Sequence, residues 1–228
     1  MKVITYKFEG VSHNFRLLLE AYVNSWTYNA SIELLIHTDA PPKIGSRLPG
    51  FYYNNYKLKR WYDIFCQHKQ DMIFTDCDML CLADIQDGFD LVEHIGVCSA
   101  NDYPFNGGVV FAKNTKETHR FFQRWLQVDK DMLHNYSYHF PWMLKYAGIN
   151  QSSFGYLYEC EMGDMITVMP QIYNLCSPWK DWQNAKMIHV KSKLRESVMQ
   201  TNPKQYSKEI QQLTKLFWSY ATKATTSM

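Results

Sequence analysis

The first 76 residues alternate short β-rich apolar runs with stretches of helical periodicity, and this alternation restricts the chain to few architectures. Residues 3–8 form a β-rich run. Phe15, Leu18, Leu19, Tyr22, Val23 and Trp26 then recur at helical spacing. Residues 32–36 read as a short buried strand, and a loop follows that carries Pro41, Pro42, Gly45, Pro49 and Gly50. A second helix is expected over residues 56–68, leading into a strand over 72–74 that ends at Asp76. Strand–helix–strand–helix–strand order predicts an α/β fold: a mostly parallel, Rossmann-like sheet with helices on its faces.

Further strands are expected at residues 95–98, 108–112, 165–169 and 187–190. Asn114, with Glu117 three residues on, has the form of a capping box for a helix that buries Phe121, Phe122 and Trp125. Helices are also expected over 138–146 and 151–158, and a last one from Pro203 with Asn202 as its cap. Its Ile210, Leu213, Phe217 and Tyr220 make an apolar stripe, read as packing on the domain, with a partner or membrane surface as the alternative. A chain of 228 residues suits one substantial core. The expected organisation is a single domain over 1–200, an amphipathic C-terminal helix over 201–221 and a disordered tail over 222–228.

The charge balance, 24 basic against 22 acidic residues, argues against a nucleic-acid partner, which calls for a basic excess or stripe. No stretch reaches the roughly 18 apolar residues of a membrane span. The N-terminal MKVITYKFEG reads directly as a strand with no apolar signal core, so a cytoplasmic location is expected and the six cysteines, none in a CxxC pair, are expected to be reduced. Aromatic residues make up 16% of the chain, which suits both a thick core and a sugar-binding surface.

Chemistry concentrates in DMIFTDCDML. In open α/β sheets ligands bind beyond the carboxyl ends of the strands, where Asp76 falls. Asp76 and Asp78 are two apart, so in extended backbone they face one side. Two carboxylates held together repel unless a cation sits between them, and a hard divalent ion with oxygen ligands fits.

The stretch MIFTDCDMLCLADI resembles the metal-binding strand and Asp-x-Asp of nucleotide-sugar glycosyltransferases with the A-type (GT-A) fold, most of all the retaining galactosyltransferase and glycogenin-like group. Four further segments agree in order. FNGGVVFAKNTKETHRFFQRW is similar to that group's Phe-Asn-x-Gly strand and following helix. GINQSSFGYL is similar to its Asp-Gln helix start, VMPQIYN to its Leu-Pro-x-x-Tyr-Asn segment, and MIHVKSK to its late strand ending in a metal-binding histidine. The resemblance spans roughly residues 1–195.

It implies a hexosyltransferase that moves a hexose from a UDP-sugar to an acceptor hydroxyl, with retention, the acceptor being a glycan, a protein or a small molecule. It implies a metal held by Asp76, Asp78 and His189. An imidazole among oxygen ligands favours Mn²⁺, with Mg²⁺ the alternative. Lys191 and Lys193 alternate with Val190 and Ser192, so extended backbone would aim both at the diphosphate, as a solvated surface would equally place them. Lys59 and Arg60, on the helix before the Asp-x-Asp strand, stand where similar enzymes keep a basic residue near the nucleotide. Asn106, Gly107 and Gly108 would line the donor sugar; Tyr6 would flank the uracil, or else be a core tyrosine, and Asp39 would touch the nucleoside. The family's Asp-Gln pair near the reacting carbon is Asn150-Gln151 here. Asn150 has no basic carboxylate, while Gln151 retains the ability to position the sugar. Asp102 and Asp164 are the remaining carboxylate candidates. Two other functions are compatible with the same segments: a non-catalytic nucleotide-sugar or glycan-binding module, for which the Asn150 substitution leaves room, and a sugar nucleotidyltransferase, which would call for a glycine-rich loop where Glu9-Gly10-Val11-Ser12 has one glycine.

Overall fold

The computed structural model describes residues 1–10, 12–40, 49–101, 103–177, 179–200 and 205–223. Asp102, the Pro41–Gly45 part of the first loop, the helix start expected at Asn202 and Pro203, and residues 224–228 lie outside them. The central sheet has six strands: β1 (Lys2–Phe8), β2 (Leu34–Asp39), β3 (Met72–Thr75), β5 (Ile95–Ser99), β6 (Phe105–Ala112) and β7 (Ile166–Met169), in the order β2-β1-β3-β6-β5-β7. β1 pairs in parallel with β2 and β3, and β5 with β7, while β6 runs antiparallel between β3 and β5. The mostly parallel α/β sheet read from the sequence is therefore present, with one reversed strand. That reversal brings the start of β6, Asn106 to Gly108, to the edge where β1 and β3 end.

Side chains alternate across the sheet as the pleat requires. Ile4, Met72, Phe74 and Val110 face α2 (Pro49–His68), α3 (Lys116–His134) and α5 (Ile149–Cys160). Val3, Ile73, Val109 and Phe111 face α1 (His13–Asn29). Helices on both faces explain why β1 and β3 read as continuous apolar runs rather than alternating ones. The aromatic content is mostly spent here: Trp61 stacks on Phe74 at 5.1 Å between ring centres, and Phe121, Phe122, Trp125 and Phe154 pack among one another. Each such burial contributes about 1.5–3 kcal/mol.

Three expectations shift. The second helix begins at Pro49, not near Tyr56, so Pro49 and Gly50 belong to its first turn rather than to the loop. Its early Phe-Tyr-Tyr-Asn-Asn has poor intrinsic helix preference, which packing overrides. The α3 cap is Thr115, whose hydroxyl accepts from the Thr118 N–H, while Asn114 instead accepts through Oδ1 from the His119 ring. Residues 190–193, read as an extended segment, run instead into the short helix α6 (Ser192–Met199), which buries Leu194 and Val198. The last helix, α7 (Lys208–Ala221), is capped by Ser207. Its stripe of Ile210, Leu213, Phe217 and Tyr220 is buried among Leu18, Ala21, Leu194 and Val198, so packing accounts for it. Among the described residues no helix is long and apolar enough to cross a membrane.

A second sheet of two strands, β4 (Met79–Cys81) and β8 (Met187–His189), lies beside the first and pairs antiparallel with Met79 opposite His189. One more α-helix completes the chain order: α4 (Tyr136–Tyr146), joined to α5 by Ala147 and Gly148, both at positive φ.

Candidate active site

The acidic pair sits on the bend between β3 and β4, not on extended backbone, and the bend turns both carboxylates the same way. Backbone bonds fix it from two sides. The Asp76 N–H donates to the Gly108 carbonyl at 2.9 Å, and the Val190 N–H donates to the Asp78 carbonyl at 2.8 Å. With Met79 opposite His189 in the small sheet, a histidine 111 positions after Asp78 is delivered to the acidic pair. His189 Nε2 lies 3.4 Å from Asp78 Oδ1 and 3.8 Å from Asp76 Oδ2, and one ligand atom from each of the three residues falls within 4.8 Å of the others.

Each carboxylate uses its other oxygen for a side-chain cation. Lys57 Nζ is 2.6 Å from Asp76 Oδ1, and the Arg195 guanidinium donates to Asp78 Oδ2. The outer oxygens are thus paired, and the inner oxygens face the imidazole nitrogen. Two carboxylate oxygens and one imidazole nitrogen pointing at a common volume form a donor set that suits a divalent cation of intermediate hardness. Burial raises the Asp76 carboxyl's pKa, but Lys57, His189 and Arg195 together hold it below the ordinary carboxylate value. Burial alone lowers the Arg195 guanidinium, against the attraction of Asp76.

Two cavities meet here. The larger, about 690 Å³, runs from Tyr6, Phe8 and Glu9 past Tyr53 to Cys77, Asp78 and Arg195. The smaller, about 210 Å³, has walls of Trp61, Tyr103, Phe105, Trp125 and Phe154, with Asn106, Gly107, Asn150, Gln151 and Lys191 supplying polar groups. Asn54, Lys57 and Asp76 border both. Two buried polar atoms on residues of the smaller wall, Trp61 Nε1 and Asn150 Oδ1, have no partner among the described residues.

The remaining sequence candidates fall in different places. The Tyr6 ring lines the larger cavity, and its hydroxyl donates to Asp39 Oδ2 at 2.8 Å. Asp39 also holds Arg60 at 2.6 Å, and neither lines either of these two cavities; Lys59 is exposed and paired with Asp63 at 2.9 Å. Burial pushes the Asp39 carboxyl up, while the Tyr6 hydroxyl and Arg60 bring it below its usual range. Lys191 lines the smaller cavity, but Lys193 points to solvent, because the chain enters α6 there and helical phase separates residues two apart. Gln151 accepts from the Gly107 N–H at 3.2 Å and donates to the Tyr146 carbonyl at 2.6 Å; Asn150 donates to the Asn54 carbonyl at 2.9 Å. Asp164 is exposed at the amino end of β7, the edge of the sheet away from Asp76.

Lys57 and Arg195 were not singled out in the sequence. Lys57 lies one turn before Trp61, on the helix face that packs, and its ammonium is 4.7 Å from that ring's centre. Arg195 is four residues after Lys191, the spacing of one helical face.

The same fold recurs in solved glycosyltransferases. A glycosyltransferase involved in the glycosylation of the major capsid of PBCV-1 matches with a TM-score of 0.57 at 12% identity, over 86% of this chain and 96% of that one. Mouse xyloside xylosyltransferase 1 matches with a TM-score of 0.54 at 11% identity, over 82% and 96%. The glycosyltransferase GlyE of Streptococcus pneumoniae TIGR4 reaches 0.64 at 12% identity, over 97% of this chain and 60% of that one. No family model matches the sequence, and no curated protein sequence matches it. The chain has the A-type glycosyltransferase fold, and an Asp-x-Asp and a histidine meet at the carboxyl edge of its sheet.

Proposed function

We propose that the chain is a glycosyltransferase that moves a hexose from a UDP-sugar to an acceptor hydroxyl with retention, using Mn²⁺ held by Asp76, Asp78 and His189. The convergence of those three side chains where two cavities meet carries this reading. The larger cavity takes the nucleoside, with Tyr6 and Phe8 offering aromatic surface. Lys57 and Arg195 flank the acidic pair and supply positive charge to a diphosphate lying at the junction. The smaller cavity takes the sugar: its aromatic walls cover the ring's apolar face, and the unpartnered Trp61 Nε1 and Asn150 Oδ1 offer a donor and an acceptor to hydroxyl groups. The metal, when bound, supplies electrostatic stabilisation for the charge that grows on the departing nucleoside diphosphate.

Gln151 is held by Gly107 and Tyr146, so its amide is oriented before substrate arrives. Among the described residues of the smaller cavity's wall, Asp76 is the sole carboxylate, and it is already paired with Lys57. No described residue of that wall is a free carboxylate, and Asp102, next to Tyr103 in the chain, lies outside the described residues; retention is carried here by the family resemblance.

The test is release of UDP from a panel of UDP-hexoses, with an acceptor panel, in Mn²⁺ and in EDTA, with the product anomer read by NMR. Mn²⁺-dependent transfer with the donor's own anomeric configuration supports the proposal. Equal turnover in EDTA, or an inverted product, contradicts it. Donor binding with no turnover on any acceptor would instead support the non-catalytic module that Asn150 leaves open.

A further inference from the structure

We propose that Asn106 and Asn174 are positioning residues that fix the tautomer of His189, so that its Nε2 rather than its Nδ1 is presented to the acidic pair. This rests on the metal assignment above and gives Asn106 a role other than lining the sugar. The Asn106 carboxamide is buried, and its Oδ1 lies 3.2 Å from His189 Nδ1. The same oxygen accepts from the Gly108 N–H at 2.9 Å and from Asn174 Nδ2 at 3.0 Å.

The Gly108 N–H has only a proton to offer, so the atom facing it must be the amide oxygen and not the amide nitrogen. Asn174 is fixed in the same way, because its Nδ2 also donates to the Asn106 backbone carbonyl at 3.0 Å. Asn106 therefore presents an oxygen, and an unprotonated Nδ1 would set one lone pair against another. The ring keeps its Nδ1 proton whether it is neutral or cationic, and the neutral ring's lone pair lies on Nε2, 3.4 Å from Asp78 Oδ1.

The glycine pair supports this reading. A Cβ at Gly108 would come within 2.6 Å of His189 Nδ1 and 2.9 Å of Asn106 Oδ1, whereas one at Gly107 would meet nothing nearer than Gln151 Cγ at 3.6 Å. Gly108 makes room for the imidazole and its amide partner. Asn174 ends the Pro-Gln-Ile-Tyr-Asn segment, is fully buried and lines neither of the two cavities.

The test uses the full chain labelled with ¹⁵N-histidine. Long-range proton–nitrogen correlation NMR reports both nitrogens of His189, assigned by the signals missing from His189→Gln. The wild type is expected to show a protonated Nδ1, and Asn106→Asp, which keeps the acceptor, is expected to preserve it. Asn106→Ala removes the acceptor that faces Nδ1 and is expected to mix the tautomers, while Asn174→Ala, which removes one of the two donors that hold this amide, is expected to act in the same direction but less. Titration with Mn²⁺ alone, followed by EPR, is expected to show binding about 10–100-fold weaker in Asn106→Ala and near wild type in Asn106→Asp. A bare Nδ1 in the wild type overturns the proposal, as do unchanged tautomer and unchanged Mn²⁺ affinity in Asn106→Ala. A wild type that keeps the Nδ1 proton but takes up no Mn²⁺ would remove the metal assignment while leaving the tautomer relay standing.

Discussion

The two cavities share Asn54, Lys57 and Asp76 yet differ in build. The larger is walled by strand ends and by charged groups from four segments, and two of its cations, Lys57 and Arg195, are held by the acidic pair itself. The smaller is about a third of the volume and is set into the aromatic core between α2, α3 and α5. On the proposed reading the contrast separates two tasks: the larger, charged space suits a nucleoside diphosphate, and the smaller aromatic one suits a sugar ring whose hydroxyls must be chosen between. Variants should sort accordingly, with changes in the larger cavity acting on donor affinity and changes in the smaller acting on turnover and sugar choice.

The junction gives the largest effect. Asp78→Ala removes a proposed metal ligand and the carboxylate partner of Arg195, and turnover should fall about 10³-fold or more, measured as Mn²⁺-dependent UDP release. Arg195→Ala should weaken UDP binding about 10–100-fold, the worth of a charge-assisted contact, while a calorimetric titration with Mn²⁺ in place still detects it. An unchanged UDP affinity would erase the distinction between the cavities. Gln151→Ala should lower kcat about 3–10-fold, as loss of one neutral hydrogen bond does, and leave UDP affinity as it was.

The smallest effect is on the frame of the sugar side. Asp129 of α3 is buried, accepts from Ser153 of α5 at 2.7 Å and from Asn55 of α2 at 2.8 Å, and burial pushes its carboxyl up to about 6. The unfolded chain releases that proton near 3.9. The folded state therefore binds it more tightly, and stability should fall as pH rises from about 4 to about 6. Asp129→Asn should remove that slope and melt higher than the parent above pH 6, by about 1–2 kcal/mol once the lost acceptor is allowed for. Thermal melts across pH 4–8 measure it, and parallel curves for the two proteins would contradict it.

The acidic pair was legible in the sequence because an apolar strand ends on it, and hydrophobic pattern marks strand ends well. His189 was legible only through resemblance. What brings it to Asp78 is the pairing of β4 with β8, a contact across more than a hundred residues that no local pattern encodes. The basic groups were read without the phase of their helix. Lys57, Lys59 and Arg60 fall within four consecutive positions of one helix, and choosing among them requires its phase. That phase was available: Leu58, Trp61, Ile64 and Phe65 mark the packed face, with Lys57 one turn before Trp61. Extended alternation over 190–193 paired Lys191 with Lys193, whereas the helix that forms there pairs Lys191 with Arg195. Asn106 read as a sugar contact because its segment does, and only the fold turns its side chain toward His189.

The central claim is that one cation binds among Asp76, Asp78 and His189. A crystal soaked with Mn²⁺ and UDP, measured at a wavelength where manganese scatters anomalously, tests it most directly. The expected result is a single strong peak bonded to both carboxylates and to His189 Nε2, with the UDP diphosphate completing its coordination. A peak elsewhere, or UDP bound with no peak at this cluster, would contradict the account.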